Sequence, residues 1–204
     1  MPIAKDSGGN FTPAPTGTHI ARCISVIALG TQNSPNFPAS FKVMLVWELP
    51  SEPLVNTATG ERKPMIANKE YTLSLSEKSK LRADLVSWRG RIFTPEELKQ
   101  FDVAKVLGFP CMLTIVHKTS SQGKVYAVVS GVTGLPKGTV CPERVHPLAL
   151  YEIEHGKNEV FAKLPAWIQK KIENCEEWLH PAAMEAPEPE PEPEAPEESA
   201  EVPF

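Results

Sequence analysis

The apolar period of this chain switches twice, and that switch limits what it can fold into. Up to Leu75 the apolar residues recur at every second position or in β-branched runs. From Leu81 to Trp88 they fall at i, i+4 and i+7, and from Cys111 to Thr133 the period of two returns. Strands, then a helix, then strands are required. The first strand spans Thr18–Leu29 and stops at Gly30; Thr31–Ala39, with Asn33-Ser34-Pro35-Asn36 and Pro38, reads as a loop. The second strand spans Ser40–Leu49. Phe41, Val43, Leu45 and Trp47 share one face, and Lys42, Met44, Val46 and Glu48 the other. Both faces are mostly apolar, so this strand is expected to sit centrally. Pro50–Pro64 is a polar excursion, a projecting loop or hairpin tip, before a third strand at Met65–Leu75.

Ser76 is the expected N-cap of the first helix, whose apolar stripe is Leu81, Leu85 and Trp88 and whose end is Gly90. A second helix, 94–105, starts with Pro95 in its first position. Thr94 and Glu97 form a capping box, and Phe93 staples onto Leu98. Cys111–Lys118 and Lys124–Thr133 are two strands around the five-residue loop Thr119–Gly123. Residues 134–163 are rich in turn formers. A last helix, Pro165–Leu179, buries Ile168, Ile172, Cys175 and Leu179.

The order strand, strand, strand, helix, strand, strand is that of the OB-fold, a five-stranded Greek-key barrel. The expected fold is therefore mainly β: an OB-like barrel with inserted helices and a C-terminal helix. It occupies residues 18–180, after an irregular arm at 1–17 and before a Pro/Glu tail at 181–204. That fold serves several ligand classes and does not fix function.

Charge narrows the choice. The chain carries 21 basic and 25 acidic residues, net −4. Eight of the glutamates lie from Glu185 onward, where there is no Lys or Arg, so residues 1–184 hold 21 basic against 17 acidic residues, or +4. A mildly basic body with an acidic arm points to nucleic acid. The tail alternates Pro and Glu and closes on Glu201-Val202-Pro203-Phe204. Its composition cannot bury enough apolar surface to offset ordering, so disorder is expected. A purely solubilising tail has no use for a terminal Phe, which favours a tether for partners. Eight negative charges beside the basic body are also expected to compete with DNA for its groove, more weakly as salt rises.

With this element order over 18–133 and the ending Val202-Pro203-Phe204, the chain resembles bacterial and phage single-stranded DNA-binding proteins. In that class the acidic tip docks replication and repair proteins. The resemblance implies that Glu201, Val202, Pro203 and Phe204 bind such partners and that the body binds single-stranded DNA in phage replication or recombination. The second helix and the 134–179 extension depart from a minimal OB domain.

Sequence-neutral capture of single strands needs cations along the phosphates and aromatic faces under the bases. The candidate cations are Lys42, Arg62, Lys63, Lys69, Lys78, Lys80, Arg82, Arg89, Arg91, Lys118, Lys124 and Lys137. Arg89 and Arg91 flank Gly90, where backbone can approach a phosphate. Lys78, Lys80 and Arg82 are either further contacts or the wet face of the helix. Trp88 belongs to the apolar stripe and Phe93 to the staple. Trp47 and Phe41 share a face that is either core or groove. Lys124 and Tyr126, two apart on one strand face, form the leading binding element.

Enzyme chemistry is not expected. No Gly-rich phosphate loop, His-Glu-x-x-His or Gly-x-Ser-x-Gly occurs, and the only aspartates are Asp6, Asp84 and Asp102. Neither cofactor nor metal is expected, since Cys23, Cys111, Cys141 and Cys175 form no Cys-x-x-Cys pair and read as buried thiols. No run is long and apolar enough for a membrane span, and no apolar segment follows Met1, so a cytoplasmic protein is expected. Homo-oligomerisation is open. Two other readings stay beside DNA capture: a recombination mediator or strand-annealing protein, and an interaction adaptor that touches no nucleic acid.

Overall fold

A computed structural model of the chain describes residues 12–55 and 60–180. It is mainly β. Strands β1 (Gly17–Ser34), β2 (Phe37–Val55), β3 (Arg62–Thr72), β4 (Pro110–Thr119) and β5 (Val125–Thr133) form one antiparallel sheet in the order β3-β2-β1-β4-β5. Helix α1 (Lys80–Arg89) lies between β3 and β4. Both the strand order and the helix position are OB-like. The sheet is not closed by hydrogen bonds among the described residues. Its edges, β3 and β5, face each other across a small cavity of about 100 Å³ lined by Ala14, Ile66–Asn68, Ile115 and Tyr126–Val129.

β1 serves two neighbours because it bends. Thr18–Arg22 pair with β4 and Arg22–Ser34 with β2, with register shifts near Ile24, Leu29 and Asn33 that let the strand curl. Gly30 has φ +71, and a Cβ there would lie 2.6 Å from the Cβ of Cys175, so only glycine fits. The stretch read as a loop at Thr31–Ala39 is instead a tight hairpin. The strands continue to Ser34 and from Phe37, with Pro35-Asn36 as the turn. The Pro50–Pro64 excursion is a projecting hairpin, since Pro53–Val55 pair with Arg62–Pro64.

Two apolar cores lie on opposite faces of β1 and β2. The barrel interior holds Val43, Leu45, Trp47 and Leu49 of β2 with Leu81, Leu85 and Trp88 of α1 and with Phe93. The α1 stripe is as expected, but its cap is Ser79, three residues later than Ser76. Asp84 fastens α1 to β3: its carboxylate accepts from Lys69 Nζ at 2.6 Å and Tyr71 Oη at 2.7 Å. Beyond α1, the expected capping box of Thr94 and Glu97 forms. That helix, α2 (Pro95–Lys99), is short, and Val103–Val106 is a separate 3-10 turn.

The second core is built by the 134–179 extension, which packs on its own barrel. A short strand, β6 (Ala149–Tyr151), pairs parallel to β1 at Ser25–Ile27. Helices α3 (Glu159–Lys163), α4 (Ala166–Glu173) and α5 (Glu176–Leu179) follow, so the single helix expected at Pro165–Leu179 is broken at Asn174-Cys175. Tyr151, Phe161, Ile168, Ile172 and Cys175 cover Ile24, Ile27 and Leu29 of β1 and Met44 and Val46 of β2. Polar pins hold the extension at both ends. Glu177 accepts from the Thr31 backbone N–H and Oγ1. The fully buried Glu48 accepts from the backbone N–H groups of Val145 and His146, and its carboxylate lies 3.0 Å from His146 Nδ1.

Candidate nucleic-acid interface

With the outer faces of β1 and β2 sealed, the outer face of β3 stays open. Ile66, Asn68, Glu70 and Thr72 point there and are exposed. This track is about 20 Å long at ~3.3 Å per residue. It runs from the β4–β5 hairpin at one end to the β1–β2 hairpin at the other.

At the first end the register brings three sequence candidates together. Lys118 pairs directly with Tyr126, and Lys124 ends the connecting loop, immediately before β5 rather than on its strand face. All three are exposed, with 40% of Tyr126 accessible. The loop is a tight turn: the Gly123 N–H donates to Ser120 O, and the Lys124 N–H to Ser120 Oγ. Ile66 of β3 lies beside Tyr126 across the seam. Lys63 and Arg62 stand exposed on the projecting β2–β3 hairpin, Lys63 beside Glu61 at 3.0 Å.

At the other end an open groove of about 810 Å³ lies between the β1–β2 hairpin, the end of β3 and the start of α1. Lys42, Lys78, Lys80 and Lys171 line it with the hydroxyls of Ser40, Thr72, Ser74 and Ser76. Lys42 Nζ donates to Thr72 Oγ1 at 2.7 Å, and Lys171 pairs with Glu70. At the lip, Phe37 is 74% exposed, an unusual place for a large apolar ring. The sequence signal for Phe37 was available: an aromatic residue beside a Pro-Asn turn. Read as a loop, the segment hid it. Lys171 could be found only once the extension was seen to fold back over β2.

Trp47 is a correction. It is 0% exposed in the barrel interior, its ring centroid 6.1 Å from that of Trp88, and it cannot stack on a base. The β2 face left open between core and groove is core. Arg89 and Arg91 are also placed differently from the expectation. Both donate to Glu97, and the Arg89 guanidinium lies over the rings of Phe93 and Phe101, 4.4 and 5.2 Å from their centroids. These hydrogen bonds, with Arg91 the main cause, lower the pKa of Glu97 from 4.5 to about 2. Arg89 therefore holds α1 to α2, away from the β3 track.

The cysteine thiols match the sequence reading. Cys23, Cys111 and Cys175 are buried and Cys141 half-buried, all free. Burial pushes Cys23 up to about 12 and raises the other three, so they stay protonated and poorly nucleophilic. Among the described residues no cluster of three His, Cys, Asp or Glu could hold a metal ion, and no helix is long and apolar enough to cross a membrane. The tail candidates Glu201, Val202, Pro203 and Phe204 lie outside the described residues. Comparison of the chain with protein-family models and with curated proteins returns no match.

Proposed function

We propose that this protein binds single-stranded DNA without sequence preference in the cytoplasm, in phage-type DNA replication or recombination, and that its acidic tail recruits replication or repair proteins. It is a binding protein rather than an enzyme. One observation carries the reading: the open outer face of β3 runs between two hairpins, each presenting an exposed aromatic ring beside lysines. In OB-folds the face of the second and third strands and the loops joining strands 1–2 and 4–5 are where oligonucleotides bind. Here the extension removes the β1–β2 part of that face, and DNA follows β3. Phosphates meet Lys118 and Lys124 at one end and Lys42, Lys78 and Lys171 at the other; bases stack on Tyr126 and Phe37.

A fluorescence-anisotropy titration with oligo-dT, duplex DNA and RNA at two salt concentrations tests this. Tight, salt-sensitive binding that prefers oligo-dT is expected, with log K falling by about 0.7 per phosphate neutralised for each decade of salt. Phe37→Ala should weaken it by about 1–3 kcal/mol, the usual worth of one stacked base. No binding at low salt would leave the adaptor reading. Accelerated pairing of complementary strands would instead make the protein an annealing factor.

A further inference from the structure

A second groove, of about 610 Å³, lies away from the β3 track, between the end of α1, α2 and the start of β4. Its walls are apolar: Trp88, Phe101, Phe109 and Leu135, with Phe109 61% exposed. Arg91 and Lys105 also line it and are exposed. Among the described residues lining it the one carboxylate is Glu97, which Arg89 and Arg91 already bind. The groove therefore suits a ligand with an apolar end and negative charge behind it.

The chain carries such a ligand. After His180 come 24 residues with eight glutamates and no Lys or Arg, among them the segment Glu201-Val202-Pro203-Phe204. Twenty-four residues can span up to roughly 80 Å, several times the ~15 Å radius of gyration of a domain this size, so the tip can reach any surface of its own body. We propose that the C-terminal tip docks in this groove, with the Phe204 ring against Phe109 and Leu135 and its carboxylates facing Arg91 and Lys105. The groove shares no residue with the β3 track or with the groove at its end. A docked tip is withheld from partner proteins until it is released.

The test places the photo-crosslinker p-benzoylphenylalanine at position 204 of the full chain and maps its crosslinks by mass spectrometry. Crosslinks should concentrate at 105–110 and 135. Lys105→Glu with Phe109→Ser, both exposed side chains, should cut their yield about fivefold or more, while circular dichroism shows the fold intact and oligo-dT affinity stays the same. Crosslinks concentrated at Phe37–Lys42 or Lys118–Tyr126, scattered crosslinks, or a yield unchanged by the double substitution would each overturn the proposal. Failure of oligo-dT to bind would overturn the DNA reading and leave this one standing.

Discussion

Two regions of this protein combine arginine or lysine with aromatic rings, and they use them oppositely. At the α1–α2 junction Arg89 lies over Phe93 and Phe101 and donates to Glu97, so its charge and both rings are committed to the body. On the β4–β5 hairpin Lys118 and Tyr126 are paired and exposed on strands whose Ile115 and Val129 join the core, and Lys124 is exposed just before β5. The same residue types make a structural joint in one place and a candidate binding surface in the other. What separates them is exposure: the Arg89 side chain is part-buried against its rings, while Lys118, Lys124 and Tyr126 are exposed. A cation–aromatic pair in a sequence therefore does not mark a ligand site until its local partners are known.

Substitutions on either side of this divide should move different observables. The largest effect belongs to Trp47, the candidate that proved to be core. Trp47→Ala should cost about 3–5 kcal/mol of stability by opening a cavity against Trp88, read as a lower urea midpoint. If it instead lost DNA affinity at full stability, its placement in the core would be wrong. Next, Lys118→Ala, Lys124→Ala and Tyr126→Ala together should leave the urea midpoint nearly unchanged. They should weaken oligo-dT binding by at least the ~1–3 kcal/mol of one stacked base and flatten the salt slope by about 1.4 for two lost phosphate contacts. An unchanged affinity and slope would remove this hairpin from the interface.

A smaller effect is expected at the joint. Arg89→Ala should destabilise by about 2 kcal/mol through lost stacking and stem packing, with the salt slope for oligo-dT unchanged. A flatter slope would return Arg89 to the DNA path. The smallest effect is a pH dependence. The carboxyl of Glu97 titrates at about 2 in the folded chain against 4.5 ordinarily, first because Arg91 donates to it. A lowered folded-state pKa contributes stability above pH 4.5 that is lost as pH falls towards 2. Glu97→Gln should therefore show a smaller drop in thermal midpoint between pH 5 and pH 2.5 than the parent chain; equal drops would mean the Arg91 and Arg89 contacts do not persist in solution.

The devices that the sequence made legible are local. The period of Leu81, Leu85 and Trp88 set α1, and Thr94, Pro95 and Glu97 set the start of α2, because each acts within one helical turn. The alternation in β2 and β4 set strands, and their order with α1 gave the OB-like arrangement. Even local reading failed where two signals competed. Pro35, Asn36 and Pro38 suggested a loop, but the pairing of Ser34 with Phe37 carried the strands through to a two-residue turn. Cap choice slipped likewise, since Ser76 and Ser79 are equal as side chains and only the path of the chain after Leu75 selects Ser79.

By itself, then, the sequence determined the order of β1 to β5 with α1 between β3 and β4, the basic body and the acidic end, all properties of residues near one another along the chain. Tertiary structure decided which face is free. The Trp47 face of β2 was open to either role and became core beneath α1, while the opposite face became core once residues 149–179 folded back over Met44 and Val46. That packing left the outer face of β3 open and brought Lys171 to the groove that Phe37 and Lys42 of β2 already line. The reason is physical: burial and ion pairing depend on groups distant in sequence, such as Glu177 with Thr31 or Lys171 with Glu70, and no local pattern encodes which distant surface will arrive.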